Sequence, residues 1–256
     1  MLWHKNIGAG GTGGGSVEIT YVGSVTKQCQ AKTNWDSSAE APDVVGTGSV
    51  GDLVYVEVAT DLRTFDTSTV FSGMSFTQLD RKDGSNPDVY TGYGFITPSS
   101  VNPYLSSSVN SGIGGISAVF SIFSFTGDVD LIAKAADYTQ SEGDATNAGA
   151  VPSADPSGST WYLAICSTSV DNTVSNANDV IQSAPSGYTL AAQINSALSG
   201  SSDAATAVAY KIVAGGDSTT ESGGNFEYDG YDPDAGKSGT PSTETGNTTT
   251  YRALFG

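Results

Sequence analysis

The chain has 256 residues, room for one large or two modest domains, and sets 10 Lys and Arg against 27 Asp and Glu, a formal net charge of −17. Such a surface repels a phosphate backbone or an anionic membrane, and no run of about 18 apolar residues is present to span a bilayer, so nucleic acid binding and membrane insertion are excluded. Only 14% of residues are charged, while Tyr 12, Phe 9 and Trp 3 stand beside Gly 32; a disordered chain has the opposite balance, so composition predicts aromatic and β-branched strands joined by Gly, Asn, Asp and Ser turns.

Residues 1–16 open with a short amphipathic stretch, Met1 to Ile7, followed by a Gly-rich run. Glycine is entropically expensive to order, so a flexible arm is expected, mobile or held by a neighbour. The stretch lacks the apolar centre of a secretory signal. From Val17 the strand signals begin with VEITYVGSV and recur at 52–59, 70–79, 89–96, 113–125, 160–166, 186–194, 207–213 and 250–255. Helix is expected only at LIAKAAD (131–137) and AAQINSALS (191–199), both short. In AVAYKIV, alternation places Val208, Tyr210 and Ile212 on one face and Ala207, Ala209 and Lys211 on the other. In DLVYVEVA it places Val54, Val56 and Val58 inward and turns Glu57 out to solvent. Long polar insertions such as 217–249 read as surface excursions at one end of the fold, where binding would live.

The segments also repeat in order. DLVYVEV, SGMSFTQL, YGFI and AVFSIFSF are followed by TWYLAIC, SGYTLAAQI, AYKIV and TYRALFG. Ser72-Gly73 answers Ser186-Gly187, and Tyr93-Gly94-Phe95-Ile96 answers Tyr210-Lys211-Ile212-Val213. The expectation is an all-β β-sandwich, jelly-roll-like or Ig-like, with long polar loops: one domain over 17–256, built from two similar halves at about 17–130 and 155–256.

Catalytic signals are few. His4, in the arm, is the one histidine, which removes His-based acid–base chemistry from the folded region. Together with Cys29 and Cys166 it cannot make a usual zinc site, and those two cysteines read as separate buried thiols more readily than as a pair. Gly8 to Gly13 fits a dinucleotide fingerprint by letter but has no strand before it or helix after it, and Gly236-Lys237-Ser238 lacks the rest of a phosphate loop. Glu227, Asp229, Asp232 and Asp234 form an acidic turn whose oxygens can wrap Ca²⁺ or stay solvated. Paired carboxylates there would also suit glycoside hydrolysis, the one enzymatic reading left open. Tyr104, Phe226, Tyr228 and Tyr231 stand among Gly, Asp, Asn and Ser, a setting for glycan or partner contact, or for rings folded back onto the core edge.

ITYVGSV, GDLVYVEVATD, SGMSFTQL, YGFI, PSGYTL, ATAVAYKIVAGG and TYRALFG together resemble a loose group of tailed-bacteriophage structural proteins, over about residues 17–256. Phe71 stands where that group carries Pro before Ser-Gly. The resemblance implies a location, the virion, and carries over no catalytic residue. The expectation is therefore a non-enzymatic virion protein, a tail fibre or tail tip component contributing to host adhesion. A capsid decoration or head-fibre protein and a depolymerase are the alternatives. In this view the arm, through Leu2, Trp3 and Ile7, anchors the domain to other virion proteins. The loop ends meet a host-surface glycan, the chain forms a homo-oligomer, and no cofactor is needed beyond possible Ca²⁺.

Overall fold

The structure, a computed structural model, describes residues 17–62, 65, 67, 69–82, 87–126, 133–142, 149–150, 161–171, 183–195, 204–214, 224–226 and 247–256. It is an all-β sandwich of two antiparallel five-stranded sheets. The first holds β1 (Glu18–Ala31), β2 (Leu53–Leu62), β4 (Thr77–Lys82), β5 (Asp88–Phe95) and β7 (Gly114–Thr126) in the order β1-β7-β2-β5-β4. The second holds β8 (Ala133–Glu142), β10 (Trp161–Asp171), β11 (Thr189–Asn195), β12 (Ala204–Ala214) and β14 (Asn247–Phe255) in the order β11-β12-β10-β14-β8. Two short ladders, β3 (Phe71–Ser72) with β6 (Tyr104–Leu105) and β9 (Gly149–Ala150) with β13 (Asn225–Phe226), lie outside them.

Both sheets are threaded alike. The first strand of each lies at one edge, the second in the middle and the third at the other edge; the fourth and fifth then fill the gaps. The likeness extends to register. Thr77 pairs with Tyr93 and Gln78 with Gly92, Leu79 is an extra residue, and Asp80 resumes with Thr91. Thr189 pairs with Tyr210 and Leu190 with Ala209, Ala191 is extra, and Ala192 resumes with Val208. Such a bulge bends and twists its strand. Before each bulge stands a turn glycine with positive φ, Gly73 at 87° and Gly187 at 83°.

The sheets face each other with β1 over β11, β7 over β11 and β12, β2 over β12 and β10, and β4 over β8. The threading therefore runs in opposite senses across the interface, the first strand of each sheet facing the third strand of the other, and β2 and β10 point the same way. Leu53, Tyr55, Val119 and Phe123 of the first sheet interdigitate there with Leu163, Ile165, Val208, Tyr251 and Phe255 of the second. Each fully buried side chain of this size contributes about 1.5–3 kcal/mol.

The outer face of the first sheet is buried as well. Connections 32–52 and 96–113, with Phe65 and residues 69–76, fold across it, setting Trp35, Val44, Phe65, Phe71, Met74, Leu105 and Val109 against Val54, Val56, Val58 and Phe120. Polar bonds lock this layer. Trp35 Nε1 donates to Pro103 O at 2.9 Å, and Leu105 N to Trp35 O at 2.8 Å. Asn102 accepts from Val45 N at 2.8 Å and donates to Asp43 Oδ1 at 3.1 Å, tying α1 (Val44–Thr47) to the loop after β5.

Three expectations are corrected. Glu57 does not face solvent: because both faces of β2 are covered, its outward position points into the second sheet and is fully buried. Within LIAKAAD, residues 133–137 are not helical but belong to β8, paired with β14, and 131–132 fall outside the described residues. Of AAQINSALS, residues 191–195 are strand β11 and the remainder falls outside the described residues. Helix propensity in so short a run, worth a few tenths of a kcal/mol per residue, yields to ladder pairing.

Candidate functional site

The most unusual chemistry in the described residues lies between the sheets. Along β2 the residues facing the second sheet are Leu53, Tyr55, Glu57 and Ala59; along β10 they are Leu163, Ile165, Ser167 and Ser169. The layer therefore starts apolar and turns polar as both strands advance. At the first end, Tyr21 stacks on Tyr210 with ring centroids 4.6 Å apart, and Tyr93 meets Phe255 edge-on at 5.4 Å. At the other end, Ser169 Oγ donates to Glu57 Oε1 at 2.6 Å, and Ser167 Oγ contacts Glu57 Oε2. Tyr55 Oη lies 2.8 Å from Ser167 Oγ. Thr206 Oγ1 joins Ser169 Oγ at 3.3 Å and Ser117 Oγ at 2.7 Å. Thr249, paired with Ser169, has a buried hydroxyl with no hydrogen-bond partner.

Glu57, Ser117, Ser167, Ser169 and Thr206 each have 0% exposure. Burial pushes the Glu57 carboxyl from 4.5 up to about 8, and the Ser169 hydrogen bond draws it only partly back. A carboxyl in such a place holds its proton at neutral pH. Being sealed, it does not reach a substrate from solvent, so its chemistry is that of the fold. One acid among hydroxyls is not a metal cluster either, and no group of three His, Cys, Asp or Glu gathers among the described residues.

The sequence-predicted site residues are not brought together. Leu2, Trp3, Ile7, Glu227, Tyr228, Asp229, Tyr231, Asp232 and Asp234 lie outside the described residues. Tyr104 is half-buried in β6, opposite Ser72, and packs against the outer core of the first sheet. Phe226 is fully buried against Cys166, Val170, Ala205, Ala207 and Ala209, so its ring is a core element with no face left for a glycan. Cys29 and Cys166 form no disulfide with each other and are buried in different clusters, and burial pushes the Cys29 thiol up to about 11. Sequence reasoning passed over Glu57, although DLVYVEVA carried the signal: a near-continuous apolar run marks a strand covered on both faces, where a single acid is buried whichever way it points.

What the residues build is a two-sheet all-β sandwich with a thick layer of loops on one sheet. Comparison with protein-family models, with characterised proteins and with solved structures finds no match.

Proposed function

We propose that the protein is a non-enzymatic structural component of a tailed-phage virion, mounted on the tail and contributing to contact with the host surface. The observation that carries this reading is the loop layer over the first sheet. Three connections are cross-braced there, and Val50 and Val101 are left 63% and 48% exposed. Gly51 N donates to Ile96 O at 2.8 Å beside Val50, and Val101 N donates to Gly73 O at 3.0 Å. Apolar side chains on a braced layer meet a partner without the entropy cost of ordering a loose loop. The low charge density and the resemblance of the sequence motifs to phage structural proteins support the same reading. In this reading residues 1–16, through Leu2, Trp3 and Ile7, join neighbouring virion subunits, and copies of the chain assemble together. The same reading assigns glycan contact to Tyr104, Tyr228 and Tyr231 and Ca²⁺ binding to the acids at 227–234.

Immunogold electron microscopy of particles made by the source phage tests the proposal. Label at the tail is expected. Label on the head shell would move the protein to a decoration role, and particles without label overturn the reading.

A further inference from the structure

The two ends of the interlayer are held by different forces. Where β2 and β10 begin, large rings interlock; where they end, the apolar contact among the described residues beside the hydroxyl cluster comes from Ala59, Val89 and Ala204. Glu57 sits at the boundary. From its own strand Tyr55 faces it; from β5 comes Thr91, from β7 Ser117 and Val119, from β10 Ser167 and Ser169, from β12 Thr206, and from β14 Thr249 and Tyr251. Among the residues whose side chains are described, the charged ones sharing that face are Asp80 and Lys82 on edge strand β4, both half-buried, with β5 between them and β2. Two strand spacings put them about 10 Å away, too far to neutralise a carboxylate by contact. The register positions that extend the face past the cluster, Asp171 on β10 and Glu142 on β8, are acids too.

We propose that Glu57 is a protonation latch between the sheets: neutral, it closes the hydroxyl end of the sandwich, and on ionising it loosens that end while the aromatic end holds. Burial favours the neutral form. When protonated, Oε2 donates to Ser167 Oγ and Ser167 Oγ donates to Tyr55 Oη; when ionised, Ser167 and Ser169 both donate to the carboxylate and offset part of its cost. Against that, the carboxylate is fully buried, and among the described residues no cation contacts it. The relief available to the chain is to part the sheets where, among the described residues, small side chains join them, and to let water in. The loss of the Glu57 proton, with burial pushing its release up to about 8, then sets when this happens.

The direction follows from linkage. Below about pH 4.5 Glu57 is protonated in both the folded and the unfolded chain and changes nothing. Between there and about 8 the unfolded chain releases a proton that the folded one keeps, so the folding constant falls as pH rises, by up to tenfold per pH unit, and levels off above. Urea unfolding of the full chain from about pH 5 to about pH 9, wild type beside Glu57→Gln, tests this. The ratio of wild-type to variant folding constants is expected to fall across that window. Amide exchange in residues 57–59 and 167–169, corrected for its intrinsic pH dependence, is expected to speed up above about pH 8 in the wild type alone. Parallel pH profiles for the two proteins overturn the latch. Should the variant fail to fold, infrared spectroscopy of the wild type decides: a protonated-carboxyl band that survives at pH 7 and disappears by about pH 9 supports it, and complete ionisation at pH 7 overturns it.

Discussion

Gly73 and Gly187 occupy corresponding turns with nearly the same backbone, yet their surroundings differ. A Cβ at Gly187 meets nothing within 4 Å, whereas at Gly73 it meets the Asn102 carbonyl oxygen at 2.7 Å and the Val101 carbonyl oxygen at 3.2 Å. Gly187→Ala therefore pays only left-handed strain, about 1–2 kcal/mol. Gly73→Ala adds a clash with backbone that cannot swing aside, and its loss is expected to reach about 3 kcal/mol or more. Urea midpoints of the two variants check this; equal losses would mean that the loop after β5 yields freely. The motif pair Ser72-Gly73 and Ser186-Gly187 was visible in the sequence because a left-handed turn needs glycine. The carbonyls crowding one of the two were not, since they arrive from a loop almost thirty residues away. Glu57 teaches the same lesson. Alternation gave its face correctly relative to its valine neighbours, but only the arrival of a second sheet decides what that face meets.

Among the elements, β7 carries the most consequence. It lies between β1 and β2, and its two faces serve two cores: Phe120 packs outward against Trp35, Phe71 and Phe76, and Phe123 packs inward against Tyr21 and Tyr210. Phe120→Ala is expected to cost about 3–5 kcal/mol, because the rings around it are braced by loop hydrogen bonds and cannot collapse into the void. Phe95→Ala, at the exposed end of β5, should cost less than about 1 kcal/mol. Chemical denaturation with an unchanged m-value distinguishes the two, and a small loss at Phe120 would show that the loop layer repacks. AVFSIFSF announced β7 plainly through β-branched and aromatic density. β8 stayed hidden because AKAADYTQSE is alanine-rich and offers little strand propensity; its partner β14 makes it a strand.

At the scale of the molecule, each sheet comes from one contiguous half of the chain, and the motif pairs read from the sequence fall on corresponding strands: DLVYVEV on β2 and TWYLAIC on β10, AVFSIFSF on β7 and TYRALFG on β14. What the sequence did not disclose is the loop layer, because Trp35, Val44, Met74 and Val109 are scattered singly through turn-rich segments without a period to betray them. Two halves with their own sheets invite the thought that each is an independent unit, but the packing argues otherwise. Leu53 opens β2, Leu163 is the third residue of the corresponding strand β10, and both belong to one interlayer core, so neither sheet covers its inner face without the other. Unfolding one half would expose the aromatic side chains of both. Calorimetry at neutral pH is therefore expected to give a single transition whose van't Hoff and calorimetric enthalpies agree. Leu53→Ala and Leu163→Ala, each costing about 2–5 kcal/mol, should both move that transition as a whole. Two transitions, with each substitution shifting only one of them, would mean that the halves stand alone and that the shared interlayer contributes little to holding the sandwich together.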